Sequence, residues 1–558
     1  MKKIWILWLL VVLIASCRTI TNKTSHQGGS IAFPINAKPT TWIPSLAYDI
    51  NTMIVLNQLY EGLVEIDQQS YQVKSLLAKT IENSFDYKEY TFELHSNVHF
   101  HPHSLFQGDS TETLTNNDVI QTFEYACSKK YHESSYAYQN ILKEINGAEA
   151  YHRGECDTIE GLYEENGKIT IKLKKSDPLF LQKLASSTLG IFSAKWINNQ
   201  QGVPPGTGPF YLKSKDDKTI TLKRHPYYFK ESEEKYRLPY LDNIVFKVYE
   251  DEQVKINDFL TGRLDIINNI DVSGLNTIFE EKKEAFNQIP PELTYFNNPL
   301  LQATMVLFNL NTPLLESSTN RKLMNYAINR DEVNRVIIHN QGLKSSIYGL
   351  IPPVDNVFNL YDYEQLNRES LKYNPERIKK SKLTDFASDT LILNVLNESQ
   401  RIKLGNLLKQ QFKKELHLEV QINTLSSEEM IVSIEKMDAD LYLIGLSAEF
   451  LNPLSLMKHF YGETVPDSLS VPSTVNFSRY KNWYFDQFYE KASKEYKASK
   501  QFNAILLSEK ELLKNPPFIV LYYNADNYVH YTYVCNLHSN LLNLIKFRDI
   551  YLNKKVYG

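Results

Sequence analysis

Apolar and polar positions alternate with period two in several short runs of this chain and recur at helical spacing in longer ones. The pattern is sharpest between residues 389 and 446. Leu391, Leu393 and Val395 alternate as a strand, and residues 399–416 place Ile402, Leu407 or Leu408, Phe412 and Leu416 on one helical face. Leu418, Val420 and Ile422 then alternate again. A helix between two such strands predicts a βαβ unit, with parallel pairing and a right-handed crossover. A second helix is expected around Ser427 to Lys436, and a third strand from Ala439 to Gly445. In open α/β sheets ligands bind beyond the carboxyl ends of the strands, so the loop after Gly445 is expected to wall a cleft.

Residues 202–229 are a second punctuated stretch. Pro204, Pro205 and Pro209 restrict φ around Gly206 and Gly208, and Tyr211 opens an alternating run. Asp216 and Asp217 make a polar turn, and Ile220 and Leu222 carry the return run, which predicts a β-hairpin. Elsewhere Ile31 and Phe33 predict a strand, and Asp49 an N-cap for a helix with Met53, Leu56 and Tyr60 on one face. Tyr90 to Leu94 alternate as a strand. Thr115 with Asp118 predicts a capped helix that buries Val119, Phe123 and Ala126. Strands are expected at Leu241 to Phe246 and Met305 to Asn309, with a helix at Glu252 to Thr261 between them. Asn329 with Glu332 predicts a further capping box.

Length and composition add limits. A chain of 558 residues has room for several domains or two large lobes, and 42% hydrophobic with 23% charged residues is globular. The net charge of −4, with both signs interspersed, excludes the basic tracts that nucleic-acid binding needs. The 36 tyrosines suit half-wet contact surfaces. Lys2 and Lys3 precede an apolar run, Ile4 to Ile14, that is too short to span a bilayer. Ile14-Ala15-Ser16-Cys17 then reads as a lipobox, with residues 1–16 a signal peptide, Cys17 lipidated, and residues 17–29 a flexible tether. The chain beyond Cys17 is expected outside the cytoplasm, anchored to a membrane facing the periplasm or the cell surface. Cys127, Cys156 and Cys535 permit at most one intrachain disulfide; structural thiols are expected, with a Cys127–Cys156 bond possible.

Catalytic signatures are missing. There is no Gly-x-Ser-x-Gly elbow, His-Glu-x-x-His helix, P-loop or Cys-x-x-Cys, so no enzyme activity is expected and no nucleophile is assigned. His99, His101 and His103 alternate as metal ligands on a strand would, but Pro102 breaks the strand before His103, and no metal is expected.

Several of these stretches carry a family resemblance. Gly206-Thr207-Gly208-Pro209-Phe210-Tyr211-Leu212, followed by the hairpin and His225-Pro226-Tyr227-Tyr228-Phe229, resembles the segment that marks the family 5 extracellular solute-binding proteins. These are the dipeptide- and oligopeptide-binding lipoproteins of ABC importers. Leu59-Tyr60-Glu61-Gly62-Leu63-Val64 is similar to the family's N-L-Y-E-G-L-V, Leu114 to Val119 to its L-T-A-E-D-V, and Asn320 to Arg330 to its R-x-A-L-x-Y-A-I-D-R. Gly262 to Ile266, Ile351-Pro352-Pro353 and Pro516 to Tyr523 continue the likeness, from Ser30 to about Ile550.

The resemblance implies a two-lobed α/β periplasmic-binding-protein-like fold (type II, cluster C) with an extra inserted domain. Domain I would comprise residues 30–58, 191–295 and 515–558, domain II residues 59–190, and domain III residues 296–514. It implies a monomer that captures peptides between its lobes and delivers them to permease subunits, with no cofactor. Gly445 to Pro453 is similar to the family's G-W-x-A-D-Y-x-D-P, where the Asp engages the ligand's α-ammonium; Glu449 stands at that place and Leu446 at the Trp. Leu443 stands where some members carry an Arg for the ligand carboxylate. Phe33 to Ala37 falls where members offer backbone groups to an extended ligand, and Tyr522 and Tyr523 fall at the domain crossover. The alternatives are the same fold with haem, a nickel chelate, an oligosaccharide or a signalling peptide as cargo, a secreted hydrolase without a recognisable motif, and a surface lipoprotein that binds a partner protein.

Overall fold

The computed structural model describes residues 26–553, apart from 69, 107–110, 134, 340–341, 343–348, 355–357, 370 and 382–389. The expected signal peptide and Cys17 therefore lie outside the described residues.

The Gly/Pro turn and hairpin belong to a four-stranded sheet. Ser30–Ile35 pairs in parallel with Asn243–Val248, which continues antiparallel to Thr219–Arg224 and then Phe210–Lys215. The Asp216 carboxylate closes the hairpin by accepting from the Lys218 and Thr219 amides, each at 2.8 Å. Ile31, Phe33, Phe210, Leu222, Ile244 and Phe246 form its buried face, against Phe547 from near the other end of the chain.

A second, antiparallel sheet runs in the order Ala78–Asn83, Glu89–Leu94, Lys168–Lys172, Leu162–Glu165. The helix Asn116–Cys127 shares its core, with Val119 and Phe123 packed among Tyr90, Phe92, Ile169 and Ile171. Its expected cap is present as a reciprocal Thr115–Asp118 box.

The third sheet has six strands, in the order Ile266–Ile267, Phe518–Tyr531, Leu293–Phe308, Leu441–Ser447, Leu391–Leu396, Val420–Leu425. Leu391–Leu396 pairs in parallel with both Val420–Leu425 and Leu441–Ser447, as the βαβ pattern requires. The intervening helices span Ser399–Leu416 and Ser427–Lys436.

Two strands in this sheet are far longer than their apolar runs suggested. Leu293–Phe308 and Phe518–Tyr531 pair antiparallel, with a register break between Pro299 and Ala303. Residues 293–299 lie opposite 525–531, where Leu293, Val529 and Tyr531 join a core with Tyr249, Phe259 and Leu275. Residues 303–307 lie opposite 518–523, beside Leu441–Ser447. One ribbon therefore serves two bodies. Pro299 has no N–H to offer the ladder, which suits a break at that point.

Three expectations are corrected, and one open possibility is decided. Tyr60 is the residue that ends the helix Ile50–Leu59 rather than part of its face, and Met53 is only half-buried; Ile54, Val55, Leu56 and Leu59 are the buried positions. In the helix Ser399–Leu416, Leu404, Leu408, Phe412 and Leu416 are buried, while Ile402 and Leu407 sit at the edge. Asn329 caps its helix, but Glu332 does not complete the box. Gln411 takes over, accepting from the Asn329 amide at 3.0 Å and donating to the Glu332 carboxylate at 2.8 Å. Cys127, Cys156 and Cys535 are all free thiols, so the possible Cys127–Cys156 disulfide is not formed.

Candidate functional site

A cavity of about 450 Å³ lies where three parts of the chain meet. One wall is the Tyr60–Gly62 segment with Glu65, continued by residues 540–548; a second carries Tyr136, Ser186 and Ser187; the third is Leu300 to Gln302 with Ser447 to Glu449. This third wall is the end of the strand Leu441–Ser447, where the βαβ pattern placed the cleft.

Glu449 reaches this wall because the Ser455 hydroxyl accepts its amide at 2.7 Å and folds the loop back. Its carboxylate is not free. Lys458 forms an ion pair with Oε2, and the Tyr136 hydroxyl also hydrogen-bonds to the carboxylate. Burial, with Glu449 adding to it, pushes the Tyr136 phenol far up. Lys458 is itself buried, which lowers its pKa against the pull of Glu449, and it donates to Asn140 Oδ1 at 3.2 Å. Tyr136 and Asn140 lie one turn apart on the helix Tyr136–Asn140, whose Ala137 and Tyr138 pack in the antiparallel-sheet body. Glu449 and Lys458 belong to the other lobe. Two further contacts cross the same gap: Lys183 over the Phe450 ring at 5.8 Å, and Tyr87 stacked on Tyr496 at 6.0 Å.

A second charged group forms the opposite wall. Arg548 Nη2 donates to both Glu65 oxygens at 2.9 and 2.7 Å, and Lys546 and Lys230 reach the same carboxylate at 2.6 and 2.7 Å. Burial alone would raise Glu65, but Arg548, Lys546 and Lys230 outweigh it and hold the carboxyl well below its usual range. Glu61 behaves oppositely. Burial raises it to about 7 despite Arg548, Lys230 and the Tyr228 hydroxyl that donates to Oε1. Sequence reading placed Glu61 in a motif without a role and missed Glu65, Lys546 and Arg548. Their partners are drawn from opposite ends of the chain, and no local spacing signals that.

The Gly206–Gly208 turn supports the cleft rather than lining it. A Cβ on Gly206 would lie 2.3 Å from the Leu59 carbonyl oxygen, and one on Gly208 2.5 Å from the Leu59 carbonyl carbon, so only glycine lets the turn press against the Tyr60 wall. The Tyr60 hydroxyl fastens it by donating to the Pro204 carbonyl at 2.8 Å. His101, from the alternating histidine run, holds the turn from the other side. Its Nδ1 accepts the Gly206 amide at 3.2 Å and its Nε2 donates to the Gly208 carbonyl at 3.0 Å. Burial, then neighbouring His225, keeps the His101 pKa well below the ordinary value.

The other sequence candidates fall elsewhere. Phe33 is fully buried between Phe246 and Phe547, with ring centroids at 6.1 and 5.3 Å. Ala37 is exposed and does not line the cavity. Backbone groups around that segment already have partners: the Ala32 amide on Asp265, the Ile35 carbonyl on Tyr249 and the Asn36 amide on Asn51. Leu446 packs in the core with Tyr442 and Leu301 instead of walling a pocket. Tyr522 and Tyr523 line a separate, mainly polar cavity with Lys255, Asn524 and Asp526, and the Tyr523 hydroxyl donates to the Gly349 carbonyl at 2.6 Å. Of the sequence candidates only Glu449 reaches the interlobe cavity.

The family described as "Bacterial extracellular solute-binding proteins, family 5 Middle" has a model that matches residues 72–467. The chain belongs to this family. Heme-binding protein A of Haemophilus influenzae is 24% identical over 62% of this chain, though the alignment spans only 59% of that protein, under two thirds of its length. The peptide transport periplasmic protein SapA of Salmonella typhimurium is 22% identical, covering 83% of this chain and 81% of SapA. Among solved structures, the periplasmic binding protein DppA of Helicobacter pylori in complex with the peptide STSA superposes with a TM-score of 0.75 at 18% identity, covering 96% of this chain and all of that one. AgaA of Agrobacterium tumefaciens R10 with agropinic acid gives 0.73 at 16% identity, covering 94% and 99%. The fold is therefore the two-lobed α/β fold of periplasmic binding proteins. The family is one of extracytoplasmic solute-binding proteins. Among the described residues no helix is long and apolar enough to cross a membrane.

Proposed function

We propose that this chain is the solute-capturing component of an ABC importer, which holds a peptide between its lobes and presents it, chemically unchanged, to permease subunits. The observation that carries this reading is the cavity of about 450 Å³ walled by both lobes, which are joined through a ribbon of two strands. A ligand that touches both walls favours the closed arrangement by its differential affinity, and the closed form is the one a permease would recognise. The domain division read from the sequence, the monomeric state and the lipid on Cys17 are part of the same proposal. Peptide as cargo is supported by the likeness to the peptide transport protein SapA and to DppA in complex with a peptide. A second reading, capture of a non-peptide solute, is favoured by the relatedness to heme-binding protein A and the likeness to AgaA.

Native mass spectrometry of protein purified without denaturation separates these readings. Co-purified intact peptides are the expected result. A bound pigment or sugar-derived acid would move the cargo to the second reading. Fragments generated from an added peptide would replace capture with hydrolysis.

A further inference from the structure

Glu61, Glu65, Lys546 and Arg548 all line the cavity, on the wall that the chain's two ends build together. Arg548, Lys546 and Lys230 converge on Glu65, and Arg548 also meets Asp549 at 3.4 Å. Glu61 stands apart from this. Its Oε1 accepts from the Tyr228 hydroxyl and from Arg548 Nη1 at 3.4 Å, while Oε2 is buried and has no hydrogen-bond partner among the described residues. A buried carboxylate oxygen without a donor favours the protonated acid, and burial brings Glu61 from 4.5 to about 7 despite Arg548 and Lys230. With that proton in place, three cations face two carboxylates, Glu65 and Asp549. The side chains of Arg548 and Lys546 are only 10% and 16% exposed, so a positive charge left without a counter-charge is costly there. Lys546 has bonding capacity to spare. Two of its three N–H groups go to Glu65 Oε2 and the Ile66 carbonyl, each at 2.6 Å, and no third acceptor meets it among the described residues.

We propose that this wall takes a carboxylate of the bound solute beside Lys546 and Arg548, and that Glu61 acquires a proton from solvent as the carboxylate enters. The inference rests on the reading of the cleft as a peptide site. Before the solute arrives, ionised Glu61 supplies the third negative charge. Once the solute's carboxylate is seated, two anions would share the wall, and the one whose oxygen lacks a donor gives way and becomes neutral. The charged and titratable groups around Glu61 are Tyr228 and Lys230 beyond the hairpin, Glu65 on the strand Val64–Ile66, and Arg548 near the chain's end. Lys546 and Asp549 act on it through Glu65 and Arg548.

The test uses an equimolar library of short peptides, each made as free acid and as C-terminal amide, and with either Glu or Gln in its sequence. A terminal carboxylate is thereby told apart from a side-chain one, with retained species read by native mass spectrometry. Wild-type protein is expected to retain a carboxylate-bearing form over the form with none by at least about tenfold. Titration calorimetry at about pH 7.5, in two buffers of different ionisation heat, is expected to show the best-retained peptide taking up roughly half a proton more than its carboxylate-free counterpart. In Glu61→Gln, which keeps the shape of the protonated acid, that excess should vanish. Equal retention of all forms, preference for the uncharged one, or no excess uptake would overturn the inference while leaving peptide capture intact. An excess that survives Glu61→Gln would overturn it as well. If no form is retained, peptide capture and this inference fall together. The wild-type measurements decide the matter even where the variant yields no folded protein.

Discussion

His101 holds the Gly206–Gly208 turn with three bonds: the two from its ring and its own amide on the Gly206 carbonyl at 2.8 Å. Replacing the ring by methyl strands a buried amide and a buried carbonyl, each costing about 1–3 kcal/mol, so His101→Ala is expected to lose about 2–4 kcal/mol of stability in urea unfolding. An unchanged midpoint would mean that the turn holds its shape without the ring. Glu509 makes a different residue-scale prediction. It is fully buried, accepts the Ile351 amide at 3.0 Å and a hydrogen bond from the Tyr361 hydroxyl, and burial raises its carboxyl from 4.5 to about 8. The folded protein keeps a proton that the unfolded chain has lost, so this contribution is complete below about pH 4.5 and drains away as pH rises through about 8. Glu509→Gln, which mimics the protonated form, should flatten the decline in melting temperature across that window. A parallel decline in both proteins would show that Glu509 is not its source.

At the scale of single elements, the Thr115–Asp118 cap does two jobs. Asp118 accepts the Thr115 amide at 2.9 Å, and its other oxygen accepts the Ala194 amide at 2.8 Å, which ties the helix Asn116–Cys127 to the helix Ala194–Asn199. Thr115→Ala should cost about 1 kcal/mol, as a lost N-cap does, and Asp118→Ala about 2–3 kcal/mol, because a second backbone donor is stranded. Equal losses in calorimetry would remove the second role. Elements of this kind were legible in the sequence because their signals are local. The helix Ser399–Leu416 begins and ends where its period does, and Asp216 announces its own turn. The long strand Leu293–Phe308 was read only in its last residues, since Asn297, Asn298 and Pro299 interrupt the apolar pattern at the change of register. Leu446 was misplaced for another reason. Leu441 and Leu443 feed one core and Tyr442 and Leu446 another, so the strand is buried on both faces and its composition cannot tell which side meets the cleft. The Lys458–Glu449–Tyr136 contact had no sequence signal, because it exists only once two lobes have met.

For the whole molecule, that contact is a latch. Tyr136 and Asn140 come from one lobe, Glu449 and Lys458 from the other. The double variant Tyr136→Phe/Asn140→Ala removes the hydroxyl and the amide that cross the gap without unpairing Glu449 from Lys458. Its ligand-free form is expected to open, seen as a larger radius of gyration in solution scattering and a lower affinity for ligand, since part of the binding energy must then close the lobes. An unchanged radius with unchanged affinity would show that this contact does not hold the lobes together.

The packing of Phe33 against Phe547 has a consequence for how the chain comes into being. Phe547, which packs on the first strand, is synthesised about five hundred residues after it. Until then its core lacks that ring, while Asn116–Cys127 and its sheet share a core drawn from between Leu63 and Ile191. The body that holds the first strand thus closes its core later than the antiparallel-sheet body does.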